Sequence, residues 1–141
     1  MMEAMRRLLA MALLPLLLVA GCSDPGSALA NAQSTGILTV GVVDNPPSTV
    51  PDDGGDVDGP AAEMITAYAD SIGAHPSWQV GEIDALAAAV DRGEVDVIIG
   101  ADGGAKGVTA TSSSGSGGIV LVGEQETPLK DSINAWVAEQ G

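Results

Sequence analysis

The chain has 141 residues, a formal net charge of −14, a single cysteine and no phenylalanine. Its acidity disfavours binding to nucleic acid, because a phosphate backbone would be repelled, and one cysteine cannot form a disulfide within the chain. The length corresponds to one small domain, and the core must be built from Val, Ile, Leu, Ala and Met, since the aromatic residues are only Tyr68, Trp78 and Trp136.

The N-terminal residues 1–21 have the pattern of a lipoprotein signal peptide. Arg6 and Arg7 precede an apolar run over residues 8–20, which ends in the sequence VAGCS. A membrane-spanning helix is disfavoured, because a span needs roughly 20 apolar residues and Pro15 interrupts this run. We therefore predict cleavage before Cys22, a diacylglycerol and palmitate anchor on Cys22, and a location at the cell membrane on its extracytoplasmic side, in the periplasm or at the cell surface.

Residues 22–35 are small and polar and lack a sustained apolar period, which is typical of a tether that lifts a domain off the membrane. Residues 36–141 then form the folded domain. Cleavage would leave three basic residues, Arg92, Lys106 and Lys130, against eighteen acidic ones. Such a chain is compatible with cationic ligands and is not expected to dock on anionic lipid by charge.

The first half of the domain begins with a strand pattern. Residues 37–43 (ILTVGVV) are apolar and rich in β-branched side chains, which predicts a central strand. Turn-forming residues follow over residues 44–59. Residues 60–72 (PAAEMITAYADSI) carry apolar side chains at helical spacing, with Pro60 at the start and Gly73 just past the end, which predicts an amphipathic helix.

The second half repeats this alternation. Residues 77–80 predict a short strand, residues 82–92 an amphipathic helix ended by Gly93, and residues 95–100 another strand. Two successive strand–helix–strand units imply a parallel sheet with helices on its faces. After a loop over residues 101–118, residues 118–123 predict a further strand, and residues 127–140 a helix capped by Thr127 with Pro128 in its first position.

The segments GILTVGVVDNPPS and DDGGDVDGPAAEMITAYADSIGAHPSWQVGEIDALAAAVDRGEVDVIIGA resemble the first lobe of family 3 extracellular solute-binding proteins, the polar amino acid type. The shared features are a strand ending in an acidic residue, a double-proline loop, a DG…G turn into a helix, and a later helix–strand pair. GIVLVGEQETPLKDSINAWVAEQG is similar to the family's C-terminal crossover strand and helix. The resemblance implies an α/β fold: a single-lobe, periplasmic-binding-protein-like, three-layer domain with a mainly parallel sheet, truncated relative to the family.

The chain also departs from the family. Residues 101–118 leave no room for the second lobe that usually closes over the ligand. Members that bind amino acids carry an aromatic residue after the double proline, where this chain has Ser48, and a TxTxxR segment after the third strand, where it has GADGGAKGVTATSS. That arginine forks onto the ligand carboxylate, whereas Arg92 is predicted at the far end of a helix. The usual carboxylate clamp is therefore not expected.

Candidate ligand-binding residues follow the predicted strands. In open parallel sheets the ligand crevice lies beyond the carboxyl ends of the strands. Asp44 and Asp102, if they converge there, would suit an ammonium or other cationic group; the simpler interpretation is that both are solvated loop carboxylates. Glycines in the loop allow close backbone approach. The full set of candidates is Asp44, Asn45, Ser48, Gly100, Asp102 and Thr109.

Metal binding and catalysis find little support. The acidic stretch DDGGDVDG only partly matches a calcium loop, because Gly54 stands where a first ligand should be and Glu63 comes too early. His75 is the lone histidine, the Ser/Gly run lacks a nucleophile-elbow spacing, and GGAKG lacks the ending of a phosphate loop. We predict no metal, no cofactor and no enzymatic activity.

Three functions from different classes remain. The first is a lipid-anchored solute-binding protein of an ABC-type transport system, which takes a small polar solute, amino acid-like or cationic, to a transporter permease. The second is a non-catalytic interaction lipoprotein that docks a membrane transporter or another partner protein. The third is a carboxylate-based lyase, which a single lobe disfavours because it lacks the water-excluding enclosure that shifts a carboxyl pKa toward neutrality.

Overall fold

The structure is a computed structural model that describes residues 27–111 and 118–140. Helices and strands alternate through most of these two ranges. In chain order they are α1 (Ala28–Thr35), β1 (Ile37–Val42), β2 (Val50–Pro51), β3 (Val57–Asp58), α2 (Pro60–Ser71), β4 (His75–Val80), α3 (Ile83–Asp91), β5 (Val97–Ile99), β6 (Val108–Ala110), β7 (Leu121–Gly123) and α4 (Thr127–Gln140).

The central sheet has five strands in the order β4-β1-β5-β7-β6. β1 pairs in parallel with both β4 and β5, and Val40 lies opposite Trp78 on one side and Val97 on the other. β7 runs antiparallel to β5 and β6. The prediction of a mainly parallel sheet is confirmed, and β2 and β3 form a separate small hairpin.

Helices cover both faces of the sheet. Alternate strand residues point to opposite faces, so Val97 and Ile99 lie in one core cluster with α1, α2 and α4, whereas Ile98 lies in the other with α3. Gly41 faces α3 as well, since a Cβ there would stand 3.1 Å from a methyl group of Leu86. The three-layer α/β architecture expected for a single lobe is confirmed.

The predicted faces of α2 and α4 are buried against the same side of the sheet. Ile65 and Tyr68 of α2 are buried, as are Leu129 and Ile133 of α4. The Tyr68 hydroxyl donates to Oγ of Ser132 at 2.9 Å, so a polar contact joins the two helices. Burial is the larger effect on Tyr68, and it raises the pKa of the phenol.

Residues 28–35, expected to belong to a tether, instead form α1. Oγ of Ser27 accepts from the N–H of Ala30 at 3.3 Å, and Gly36 ends the helix in the left-handed conformation at φ 73°. Ala28 and Ala32 are buried on the domain, so the tether prediction is wrong for this stretch. Residues 1–26, with the predicted signal peptide and Cys22, lie outside the described residues, and those assignments stay predictions.

Residues 101–118, expected to be a loop throughout, contain the edge strand β6 (Val108–Ala110). The strand expected over residues 118–123 is shorter, β7 covering only Leu121–Gly123. β4 is longer than expected and begins at His75. Residues 112–117, which carry most of the Ser/Gly run, lie outside the described residues. None of the helices in residues 27–111 and 118–140 is long and apolar enough to cross a membrane.

Candidate ligand site

An open crevice lies at the carboxyl ends of β1 and β5. It has a volume of about 380 Å³ and is shaped by the chain that leaves each strand. The first residue of α3, Ile83, forms part of its wall. The other lining residues are Val43, Asp44, Asn45, Gly100, Ala101, Asp102, Gly103 and Gly104. Four of the six candidate residues are therefore brought together at the edge of the sheet where a ligand was expected.

Asn45 joins the two loops of the crevice. Its Nδ2 donates to the carbonyl oxygen of Gly100 at 2.8 Å and to Oδ1 of Asp102 at 2.9 Å. Both protons of the amide are thus directed toward the β5 loop, and Oδ1 of Asn45 is left as an acceptor. Asp102 is exposed and lines the crevice, and its Oδ1 is the atom that Asn45 contacts.

Behind Asn45 lies Thr49, which sequence reasoning did not select. Thr49 is fully buried, and its hydroxyl donates to the carbonyl oxygen of Val43 and accepts from the N–H of Asn45 at 3.1 Å. Asn45 and Thr49 also exchange two backbone hydrogen bonds, of 3.2 and 3.0 Å, around a cis Pro46–Pro47 bond. The sequence offered one signal for a buried side chain here, a β-branched residue with prolines on both sides. A turn-rich segment does not indicate which of its side chains points inward.

No residue with a side chain fits at position 100. The φ of Gly100 is +86°, and a Cβ there would overlap the carbonyl oxygen of Val43 and stand 2.6 Å from Oγ1 of Thr49. The absent side chain lets the β5 loop approach the end of β1 closely enough for Asn45 to bridge them.

Ser48 and Thr109 do not line the crevice. The carbonyl oxygen of Ser48 accepts from the N–H of Ala61 at 3.1 Å, in the first turn of α2, so Ser48 fixes the loop onto that helix. Thr109 lies in β6 opposite Val122, at the level of the first residue of β5, and is separated from β5 by β7. It was expected in a loop at the carboxyl edge, and the edge strand β6 holds it below that edge.

The polar side chains that line the crevice offer hydrogen-bond acceptors to a ligand. None of the described residues that line the crevice is basic, and it carries two carboxylates, Asp44 and Asp102. Arg92 lies just beyond the far end of α3 and pairs at 2.9 Å with Glu94, both exposed. That hydrogen bond lowers the pKa of Glu94. The prediction that Arg92 lies at the far end of a helix is confirmed.

A second group of acids lies at the opposite edge of the sheet. Oδ2 of Asp96 accepts from the N–H of Thr39 at 2.8 Å, and Oε2 of Glu126 accepts from the N–H of Ala28 at 3.0 Å. Burial raises the pKa of Asp96, the charge of Glu126 raises it further, and the Thr39 hydrogen bond opposes both. The Asp96 carboxyl lies at the end of the sheet away from the crevice.

The acidic stretch DDGGDVDG, which partly matches a calcium loop, begins in the turn between β2 and β3. Oδ1 of Asp52 accepts from the N–H groups of Gly54 and Asp56 at 2.8 and 2.9 Å, which is ordinary turn chemistry. Across residues 27–111 and 118–140, no group of three or more His, Cys, Asp or Glu side chains is arranged to hold a metal ion.

Part of the chain matches a known protein family. Residues 38–103, a little under half of the chain, match the bacterial extracellular solute-binding proteins, family 3. The matched segment runs from β1 to the β5 loop and so contains the crevice. The family resemblance of this segment is confirmed. A comparison with curated protein sequences gives no match.

Solved structures match over more of the chain. The arginine-bound form of domain 1 from TmArgBP matches with TM-score 0.64 and 23% identity, covering 77% of this chain and 97% of that one. A point mutant of the same domain gives TM-score 0.66 and 22% identity, with 79% and 97% covered. A mutant of ArgBP from T. maritima gives TM-score 0.53 and 23% identity, with 60% of this chain and 39% of that chain covered. The fold is therefore that of a single domain of these proteins.

Proposed function

Since residues 38–103 match the family 3 solute-binding proteins, we propose that this chain is a single-lobe solute-binding protein that takes a small polar solute with a cationic group, amino acid-like in kind, in the crevice at the ends of β1 and β5. We further propose that lipid on Cys22 holds it at the outer face of the cell membrane, where it serves a transport system with a permease as partner.

The arrangement of Asn45 and Asp102 carries the proposal. Because Asn45 directs both amide protons to the β5 loop, the lining side chains offer a ligand acceptors: Oδ1 of Asn45 and the carboxylates of Asp102 and Asp44. An ammonium or guanidinium group supplies the donors that such a rim needs, and its charge is attracted by the two carboxylates. A carboxylate ligand would meet like charge and no basic side chain from the lining.

The likeness to arginine-bound proteins supports the same solute class. Two of the matching structures are arginine-bound forms of domain 1 from TmArgBP, and this chain covers 97% of each. A single domain of this fold thus holds a cationic amino acid in those proteins. The crevice here offers no water-excluding enclosure among the described residues, so we propose a binding role without catalysis.

A thermal-shift screen tests the solute class. L-arginine, L-lysine and putrescine should raise the melting temperature, because a ligand that binds only the native state stabilises it. At constant ionic strength, set with sodium chloride, L-glutamate and magnesium chloride should not. Asp102→Asn and Asp44→Asn should each reduce the shift, and Asp70→Asn, which removes an exposed carboxylate on α2, is the matched control. Equal shifts in all three variants would contradict the proposed site.

The anchor has its own test. The full-length protein, expressed in bacterial cells that process lipoproteins, should enter the detergent phase when the lysate is partitioned between detergent and water. Its mass should fit a chain that begins at Cys22 and carries diacylglycerol and an acyl group. Cys22→Ser should carry no lipid and should retain residues 1–21. An unmodified Cys22 in the native chain would overturn the anchoring proposal without affecting the proposed crevice.

A second candidate, an interaction lipoprotein, is favoured by exposed apolar side chains near the crevice. Val80 ends β4 at the carboxyl edge with 54% of its surface exposed, and Val50 follows Thr49 with 40% exposed. Apolar side chains that flank a site can contact a protein partner such as a transporter subunit. No response in the thermal-shift screen, together with crosslinking of the anchored chain to a permease that is lost in Val80→Asp, would favour this function over solute binding.

A further inference from the structure

We propose that Thr49, which lies behind the crevice and touches none of its open space, is the positioning residue that holds Asn45 and Asp102 in their ligand-binding arrangement. The ligand part of this inference rests on the proposed function. The positional part concerns only the contacts of Thr49.

The hydroxyl of Thr49 serves two backbone groups at once. It donates to the carbonyl oxygen of Val43, the residue that follows β1, and it accepts from the N–H of Asn45 at 3.1 Å. Thr49 is fully buried, so no water replaces either contact if the hydroxyl is removed. The hydroxyl therefore ties the residue that bears the bridging amide to the rigid end of a central strand.

The same side chain sets the position of the second loop. From the place where a Cβ of Gly100 would stand, Oγ1 of Thr49 is 2.6 Å away and Cγ2 is 3.1 Å away. Thr49 thus lies directly against the backbone of Gly100, whose carbonyl oxygen receives one proton of the Asn45 amide. The side chain of Thr49 thus contacts both loops, and both loops meet at Asn45.

The two hydrogen bonds that the Asn45 amide donates determine which groups a ligand meets in the crevice. With Asn45 held, its amide satisfies Gly100 and Asp102 and keeps the Asp102 carboxylate at the crevice mouth. With Asn45 released, the amide can rotate and Asp102 turns into solvent as an ordinary exposed loop carboxylate. Preorganised acceptors bind a cation better than mobile ones, because less ordering entropy is lost on binding.

The test compares Thr49→Val, which keeps the shape but loses the hydroxyl, with Thr49→Ser, which keeps the hydroxyl. Thr66→Val is the matched control: Oγ1 of Thr66 donates to the carbonyl oxygen of Ala62 at 2.7 Å within α2, so this variant loses a hydroxyl-to-carbonyl hydrogen bond far from the crevice. The readouts are the ¹⁵N and ¹H signals of the Asn45 side-chain amide, the dissociation constant for L-arginine by calorimetry, and the melting temperature.

We expect Thr49→Val to move and broaden the Asn45 amide signals and to weaken L-arginine binding about tenfold, the effect of losing roughly one hydrogen bond. Thr49→Ser should keep the wild-type amide signals and most of the affinity. Thr66→Val should change only the melting temperature. Wild-type Asn45 signals in folded Thr49→Val would overturn the inference. If the wild-type protein binds no L-arginine, the proposed solute class fails, and the Asn45 signals alone decide whether Thr49 positions the pair.

Discussion

At the scale of single residues, Gly100 limits what the crevice loop can accept. Gly100→Ala would force a side chain into a left-handed conformation and against Thr49, which combines backbone strain with overpacking. We expect a loss of about 2–4 kcal/mol in the free energy of unfolding, measured by urea denaturation. Gly103→Ala, whose added methyl group meets nothing within 4 Å, is the control and should stay within about 1 kcal/mol of wild type. Equal losses would contradict the close approach at Gly100.

Asp96 is the residue whose charge should make stability depend on pH. Burial raises its pKa in the folded state above the unfolded value, so folding favours the protonated form. Its contribution to stability is complete below the unfolded pKa and is lost as the pH rises through the folded pKa. Asp96→Asn cannot lose this contribution by ionising, and it keeps an acceptor for the N–H of Thr39.

The free energy of unfolding of Asp96→Asn, relative to wild type, should therefore be most favourable at neutral pH and should decline as the pH is lowered through the folded pKa of Asp96. Urea denaturation between pH 3 and 8 measures this difference. Glu94→Gln is the control of opposite sign, because Arg92 lowers the pKa of Glu94, and its exposure makes the effect small. A pH-independent difference for Asp96→Asn would contradict the burial effect.

At the scale of secondary-structure elements, α1 should behave as part of the domain. Ala32 of α1 is fully buried in the core of the domain, whereas Ala30 of the same helix is exposed. Ala32→Glu would bury an unpaired charge or detach the helix, and we expect it to cost about 2–4 kcal/mol and to remove amide-exchange protection over residues 28–36. Ala30→Glu is the matched control and should leave both unchanged. Full protection in Ala32→Glu would show that α1 is not packed as described.

The elements that sequence reasoning missed share a physical cause. α1 buries only Ala28 and Ala32, whose small side chains give too weak an apolar period to distinguish a packed helix from a linker. β6 has three residues and exists because β7 pairs with it, so its signal lies far along the chain. By contrast α2, with Ile65 and Tyr68 on one face and Pro60 at its start, was predicted to within a residue at its end.

The same distinction separates the site residues. Asp44, Asn45, Gly100 and Asp102 directly follow strands, and the parallel order of β1 and β5 brings them together as predicted. Thr109 lies away from its predicted position because the segment predicted as a loop contains β6. Thr49 was missed because its importance depends on a contact with Val43, made by the turn that follows β1, and on a contact with Gly100, which the pairing of β1 with β5 brings close; no local pattern encodes either contact.

At the scale of the whole molecule, the net charge of −14 sets the response to salt. Mutual repulsion of the acids destabilises the compact state, and salt screens it over a length of about 10 Å at 0.1 M. Adding sodium chloride should therefore raise the melting temperature, with most of the rise complete by about 0.5 M, while the affinity for L-arginine falls. A melting temperature that falls with salt, or an affinity that does not, would contradict the roles given to these charges.

The pairing of β6 with β7 determines how this architecture can be enlarged. The N–H of Thr111 donates to the carbonyl oxygen of Val120 at 2.8 Å, so the chain leaves the sheet and returns to it at adjoining points on the edge that carries the crevice. Both attachment points are already held side by side, and splicing a folded module between them adds little loop-closure entropy. Such a module would extend on two connections from the same edge of the sheet as the crevice.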